Sequence, residues 1–197
     1  MRVLTVHYYP FAIDGAALGQ HLLRLAESAG SASNQGRHWC LPVCCDADQA
    51  PDLERLATAK GMTPEAVINL LTATTFRVYM IGFMPGFPYM GGLPPELATP
   101  RLASPRKAVP ARSLAVTGEM CAVYPWESPG GWNLLGRTPV ALFDATDEAS
   151  PALLESGDQV RWQAVSRAEF ECLENDLATG HLSRSSFLVA PEAAWPV

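Results

Sequence analysis

GFMPGFPYMGGLPP, residues Gly82 to Pro95, sets eight Gly or Pro among fourteen residues and spaces Phe83, Phe87 and Tyr89 between them. A Pro whose native backbone suits it stabilises by about 0.4–1 kcal/mol, and a Gly costs about 0.5–1 kcal/mol of extra ordering entropy. Four of each nearly cancel, so the order of this stretch must come from packing of its aromatic rings. The glycines permit positive φ and close backbone approach. The stretch reads as a rigid wall outside helix and strand.

A second stretch of the same character, YPWESPGGWNLLGRTP from Tyr124 to Pro139, adds charge. It presents Glu127 and Ser128 ahead of Pro129, Gly130 and Gly131, with Trp126 and Trp132 on either side and Arg137 further along. Arg137 is placed to pair with Glu127 or to bind an anionic ligand, a charge-assisted contact of about 1.5–3 kcal/mol. Two rigid loops at one end of a barrel make a cleft; the alternative is that they plug the barrel end and that Glu127 with Arg137 is a structural ion pair.

Outward from these loops, Phe76, Val78 and Met80 alternate with Arg77 and Tyr79 as a strand. Downstream, SLAVT at 113, CAVYP at 121, WNLLG at 132, PVALF at 139 and DQVRWQAV at 158 are short apolar runs between turn residues, the pattern of a small barrel or sandwich. ESGD, 155–158, is a tight turn, and Ser166 with Glu169 is a capping box opening a terminal helix to about Leu177. Upstream, Val3–Tyr8 alternates as a strand, and Asp14 caps a helix with Leu18, Leu22 and Leu25 at helical spacing until Gly30. HWCLPVCC is a strand that Pro42 restricts to an edge or bulge. Helices follow over Pro51–Lys60 and Thr63–Ala73, the second with Thr63 as N-cap and Pro64 at its first position. A domain boundary is expected near residue 75.

The totals bound the function. With 197 residues the chain can bury roughly 70% of its unfolded surface. A net charge of −6 removes the basic footprint that nucleic-acid binding requires. No apolar run approaches a membrane span and the N-terminus has no signal-peptide core, so a cytoplasmic protein is expected. The five cysteines include no CxxC pair. His38, Cys40 and Cys44 match no metal spacing, and strand alternation splits them between faces, so no metal site is expected. The phosphate-binding and GxSxG templates are absent and the four histidines are scattered.

The run FRVYMIGFMPGFPYMGGLPPELATPR followed by VYPWESPGGWNLLGRTPVALFD closely resembles the allophanate hydrolase subunit 1 family, which includes the B-type subunit of 5-oxoprolinase, the KipI inhibitor of a sporulation histidine kinase and part of the carboxyltransferase region of urea carboxylases. The match runs from about Val3 to Val165. The resemblance implies a partial α+β N-terminal domain, residues 1–75, followed by a mainly-β cyclophilin-like barrel with a C-terminal helix, residues 76–197. Family members usually begin with an additional strand, helix and strand ahead of RVLTVHYYPFAIDG. Where many relatives carry GGQTGIYP this chain has GEMCAVYP, with Met120 and Cys121 in place of a polar pair.

By the same resemblance the chain is a subunit of an ATP-dependent amide or lactam hydrolase of the 5-oxoprolinase or allophanate hydrolase type. It is weak or inactive alone and partnered by a homologous second subunit, resembling KipA or the C-type subunit of 5-oxoprolinase. The substrate is a small amide, lactam or urea-like compound. The alternative is a KipI-like protein that inhibits a sensor histidine kinase. Such chemistry needs an anion-binding group, donors for a developing oxyanion and a base. The expected assignments are Arg137 for the anion, the amides around Gly130 and Gly131 for the oxyanion, and Glu127 as base or orienter. Phe87, Tyr89, Gly91, Gly92, Tyr124, Ser128 and Trp132 complete the expected substrate-binding set.

Overall fold

Asp14 opens the first helix of the computed structural model, which describes residues 5–28 and 36–190. Its carboxylate accepts from the Ala16 N–H at 3.0 Å, a cap on α1, Gly15–Ser28. This helix belongs to one unit, residues 1–35; residues 36–197 form a second. The strand expected over Val3–Tyr8 is not formed at Thr5–Tyr8, because alternation makes a strand only against a ladder and none pairs there among the described residues. Val3 and Leu4 lie outside the described residues, as do Gly30 and the SASNQ segment.

The second unit alternates strands and helices in the order β1 (His38–Val43), α2 (Leu53–Lys60), α3 (Pro64–Ala73), β2 (Phe76–Ile81), β3 (Pro88–Gly91), β4 (Arg106–Val109), β5 (Ser113–Thr117), β6 (Met120–Val123), β7 (Ser128–Gly130), β8 (Asn133–Arg137), β9 (Gln159–Ala164), α4 (Arg167–Thr179) and β10 (Leu188–Val189). The caps are those the residues dictate. Thr63 accepts from the Ala66 N–H, Ser166 and Glu169 form the full capping box, and Gly61 and Gly180 end α2 and α4 in the left-handed region.

Eight strands make one mixed sheet in the order β10-β1-β9-β2-β3-β6-β5-β8, and β4 with β7 makes a separate ribbon. β1 and β9 run parallel from His38–Gln159 to Val43–Ala164, and the other ladders are antiparallel. The sheet therefore includes strands from both sides of residue 75. Pro42 sits where β1 pairs only with β9, since β10 reaches no further than His38 and Trp39, so its missing N–H interrupts no ladder. Strand ladders do not close the sheet into a barrel. Edge strand β8 touches the residue after β1, the strand next to the opposite edge, at an isolated bridge, where Cys44 and Arg137 exchange two N–H···O bonds of 2.9 Å.

Two details depart from the sequence expectation. Pro88–Gly91, in the Gly/Pro wall, is a strand: β2 and β6 pair with it on either side, and that tertiary pairing overrides the poor strand propensity of Gly and Pro. The run PVALF is no strand; only Phe143 makes an isolated bridge, to Ala152. Val140 and Leu142 are buried without a ladder.

Alternation along the central strands splits the core in two. Leu114, Val116, Cys121, Val123 and Leu135 face a large aliphatic cluster that α2 and α3 cover with Leu53, Leu56, Val67 and Leu71. Their neighbours Ala115, Ala122 and Leu134 face the other way, into a smaller cluster with Phe87, Val109, Tyr124 and Trp132. Cys121 thus lies within the apolar core, where burial pushes its thiol well up. Small alanines on the second face leave room for aromatic rings, and that face holds the candidate site. Among the described residues no helix is long and apolar enough to cross a membrane.

Candidate functional site

Phe87 stands at the centre of the aromatic cluster. Its ring lies 4.9 Å from that of Tyr89, 5.2 Å from Tyr124, 6.1 Å from Trp132 and 5.6 Å from Phe83, the last three edge-on. Edge-to-face pairs of this kind contribute about 0.5–1.5 kcal/mol each beyond their area burial. These rings order the Gly/Pro wall. They also leave a cavity of about 270 Å³, lined by Phe83, Phe87, Tyr89, Arg101, Tyr124, Pro129, Gly130, Gly131 and Trp132.

Both glycine-bearing loops thus meet at one cavity. Gly130 is required by fit, since a Cβ there would lie 2.3 Å from the Tyr124 hydroxyl oxygen. The Leu102 N–H donates to the Gly131 carbonyl at 2.7 Å and pins the Arg101 segment against this turn. Burial pushes the Tyr124 phenol up, partly offset by the Trp132 backbone N–H and by Arg101, so the hydroxyl keeps its proton and stays a donor. Arg101 supplies the positive charge, its guanidinium carbon 6.0 Å from the centre of the Trp132 ring.

The wall is braced from behind. Asp52, 4% exposed, accepts from Arg106 at 2.8 Å, from Arg55 at 3.2 Å and from the Leu134 N–H at 2.8 Å. Arg106 also donates to the Trp132 carbonyl at 3.4 Å, and Arg55 to the Asn133 side chain at 2.6 Å. Burial alone would raise the Asp52 carboxyl; the bonds from Arg106, Leu134 and Arg55 outweigh it and hold it below the usual carboxylate range. The network ties the start of α2 to β8 beside Trp132.

Of the residues singled out in the sequence, Phe87, Tyr89, Tyr124, Gly130, Gly131 and Trp132 come together here. Gly91 and Gly92 do not line the cavity. A Cβ at Gly91 would lie 2.1 Å from the Tyr79 ring, and Gly92 has φ +100° beside the Thr75 carbonyl, so both serve the β2–β3 pairing. Ser128 belongs to the β4–β7 ribbon opposite Val109, its hydroxyl buried without a hydrogen-bond partner among the described residues. Glu127 and Arg137 form no ion pair and share no described cavity. Glu127 is exposed, whereas Arg137, at the far end of β8, lines a separate cavity of about 150 Å³ with Arg106 and Ser113. The extended strand Asn133–Arg137 carries the guanidinium away from the aromatic rings.

Sequence reasoning missed Arg101 and Asp52. Arg101 follows Pro100 in an irregular segment with no periodic signal, and the long-range bonds from Leu102 N–H to the Gly131 carbonyl and from the Asn133 side chain to the Pro100 carbonyl bring it to the cavity. Among the described residues no three His, Cys, Asp or Glu side chains gather as a metal site.

Comparison with known proteins places the chain in a family. Residues 1–154 match the family described as carboxyltransferase domain, subdomain C and D. The chain is similar to the B-type subunit of 5-oxoprolinase from Haemophilus influenzae, 43% identical over 162 residues that cover 82% of this chain and 75% of that protein. It is also similar to the B-type subunit of 5-oxoprolinase from Bacillus subtilis, 40% identical over 153 residues covering 78% of this chain and 63% of that one. Among solved structures, a conserved protein of Pyrococcus horikoshii superposes with a TM-score of 0.66 at 33% identity, covering 83% of this chain and 74% of its own. Kluyveromyces lactis urea carboxylase shares the fold at a TM-score of 0.63 and 20% identity, over 83% of this chain and 17% of its own. With the family match spanning residues 1–154 and identities of 43% and 40% to these subunits, the chain belongs to the carboxyltransferase-domain family, subdomains C and D, alongside the B-type subunits of 5-oxoprolinase.

Proposed function

We propose that this chain is a subunit of an ATP-dependent hydrolase of the 5-oxoprolinase type and that its aromatic cavity receives a small lactam, amide or urea-like substrate. The carrying observation is the cavity itself, which places one cation, one protonated phenol and glycine backbone inside a wall of rings. At about 270 Å³ it falls just below the roughly 300–1,000 Å³ of pockets for drug-sized ligands, so it suits a ring of a few atoms and not a nucleotide. ATP therefore binds elsewhere in the assembled enzyme.

In this reading Arg101 pairs with the substrate's carboxylate, a contact that Trp132 keeps in orientation. Tyr124 and the amides around Gly130 and Gly131 donate to the lactam oxygen as negative charge develops on it. Phe83, Phe87 and Tyr89 exclude water and strengthen those bonds by lowering the local dielectric. Glu127, exposed and outside the cavity, takes no part through this chain's own geometry, and the base comes from a homologous second subunit. The relatives named as B-type subunits of 5-oxoprolinase support a multi-subunit assembly; none of the comparisons favours the kinase-inhibitor alternative.

Co-expression with the homologous second subunit tests the reading. The expected result is a stable complex that releases ADP only when 5-oxoproline or a urea-type substrate is present. A clean complex that is silent with both substrate classes would overturn it.

A further inference from the structure

Arg137 is a cation without a carboxylate partner among the described residues. Its Nε donates to the Ala111 carbonyl at 2.9 Å, and Phe170 covers one side of the guanidinium, with Cζ 6.0 Å from the ring centre. The two terminal nitrogens make no hydrogen bond to the described protein. Every neighbouring arginine is matched: Arg112 with Glu174 at 2.5 Å, Arg106 with Asp52 at 2.8 Å, and Arg167 with Asp48 and Glu171. Burial and the nearby Arg112 push the Arg137 guanidinium below its ordinary value, partly offset by the carboxylates of Glu174 and Asp48, the mark of a partly desolvated charge. A half-buried guanidinium with free donors is costly unless a ligand satisfies it.

We propose that the 150 Å³ cavity lined by Gln49, Arg106, Ser113 and Arg137 binds the carboxylate of a small organic acid. The free fork of Arg137 matches a carboxylate with two parallel N–H···O bonds. Ser113 and Gln49 line the same space, the Ser113 hydroxyl donating to the Pro110 carbonyl at 2.7 Å and the Gln49 amide to Asp48 at 3.2 Å, so Arg137 supplies the free donors. Two features select a small monoanion. The volume is about half the lower bound for drug-sized ligands, roughly 300 Å³. Asp48 also lies on the wall, and although Arg167 pairs with it, its charge opposes a phosphate dianion more than a carboxylate. This site is distinct from the aromatic cavity and does not depend on the hydrolase reading.

The test is a titration of the full chain with sodium acetate at fixed pH and ionic strength, chloride making up the balance, followed by the NMR resonance of the Arg137 Nε–H. A saturable shift of that resonance, with Arg101 and Arg184 unmoved, is the expected result. Read at the Gln49 side-chain amide, Arg137→Lys weakens acetate at least about tenfold, because the bidentate fork is lost. An Arg137 resonance that stays still, or that drifts linearly and equally in every salt, would overturn the proposal. So would inorganic phosphate saturating the shift where acetate does not. The wild-type titration decides the matter even if the Lys variant fails to fold.

Discussion

The guanidinium carbon of Arg101 stands 6.0 Å from the centre of the Trp132 ring, at the cavity where the two glycine- and proline-rich loops meet. One residue comes from the segment after β3 and the other from the turn before β8. Their proximity makes a charged, aromatic-walled recess out of segments that carry no catalytic signature of their own.

Gly130 and Gly131 are adjacent but should respond differently to a methyl group. A Cβ at Gly130 meets the Tyr124 hydroxyl at 2.3 Å, whereas one at Gly131 meets Pro105 at 3.7 Å and the Leu102 carbonyl at 3.8 Å, both ordinary contacts. Gly130→Ala should therefore destabilise by about 1–3 kcal/mol, the usual penalty for overpacking. Gly131→Ala should stay within about 0.5 kcal/mol. Urea denaturation of both variants compares them, and equal stabilities would refute the packing account of Gly130.

Phe83 is 72% exposed, and its φ of 71° lies in the left-handed region that favours Gly. Since Ala there keeps the strain and Gly relieves it, Phe83→Gly should be more stable than Phe83→Ala by about 1 kcal/mol. Both variants should weaken substrate binding by the assembled enzyme, because the ring walls the cavity. A Gly variant no more stable than the Ala variant, in thermal or chemical unfolding, would show that the backbone is not strained at this position.

The Asp52 network gives a pH-dependent contribution whose sign follows from the depressed carboxyl. The group is ionised and bonded in the fold above the unfolded value of about 4, and its contribution disappears as pH falls through the lower folded value. Asp52→Asn should cost about 2–3 kcal/mol near neutral pH, the scale of hydrogen bonds to charged groups. The gap from wild type should narrow as pH drops below about 4. A gap that stays constant across that range would mean the carboxylate charge contributes nothing.

The elements legible in the sequence are those fixed by local chemistry. Thr63–Pro64 and Ser166–Glu169 mark helix starts because caps act within one turn. Tyr124, Gly130 and Trp132 could be grouped with Phe87 and Tyr89 because aromatics amid Gly and Pro need each other's packing to be ordered. What escaped depends on distant partners. Pro88–Gly91 becomes a strand only because β2 and β6 flank it, and Val140–Phe143 fails to become one because no strand pairs with it. Arg137 shares a loop motif with Glu127, yet the intervening strand carries it to another cavity. Arg101 reaches the aromatic cavity through long-range bonds on either side of it, Leu102 to Gly131 and Asn133 to Pro100, that no local pattern announces.

The most direct test of the aromatic cavity is steady-state kinetics of 5-oxoproline-dependent ATP hydrolysis by the co-expressed complex, comparing wild type with Arg101→Gln and Tyr124→Phe. Loss of a charge-assisted bond worth about 1.5–3 kcal/mol should raise KM roughly tenfold or more in Arg101→Gln. Loss of a donor used at the developing oxyanion should lower kcat in Tyr124→Phe, with KM little changed. Intact complexes in which both variants keep wild-type KM and kcat would contradict the assignment of this cavity to the substrate.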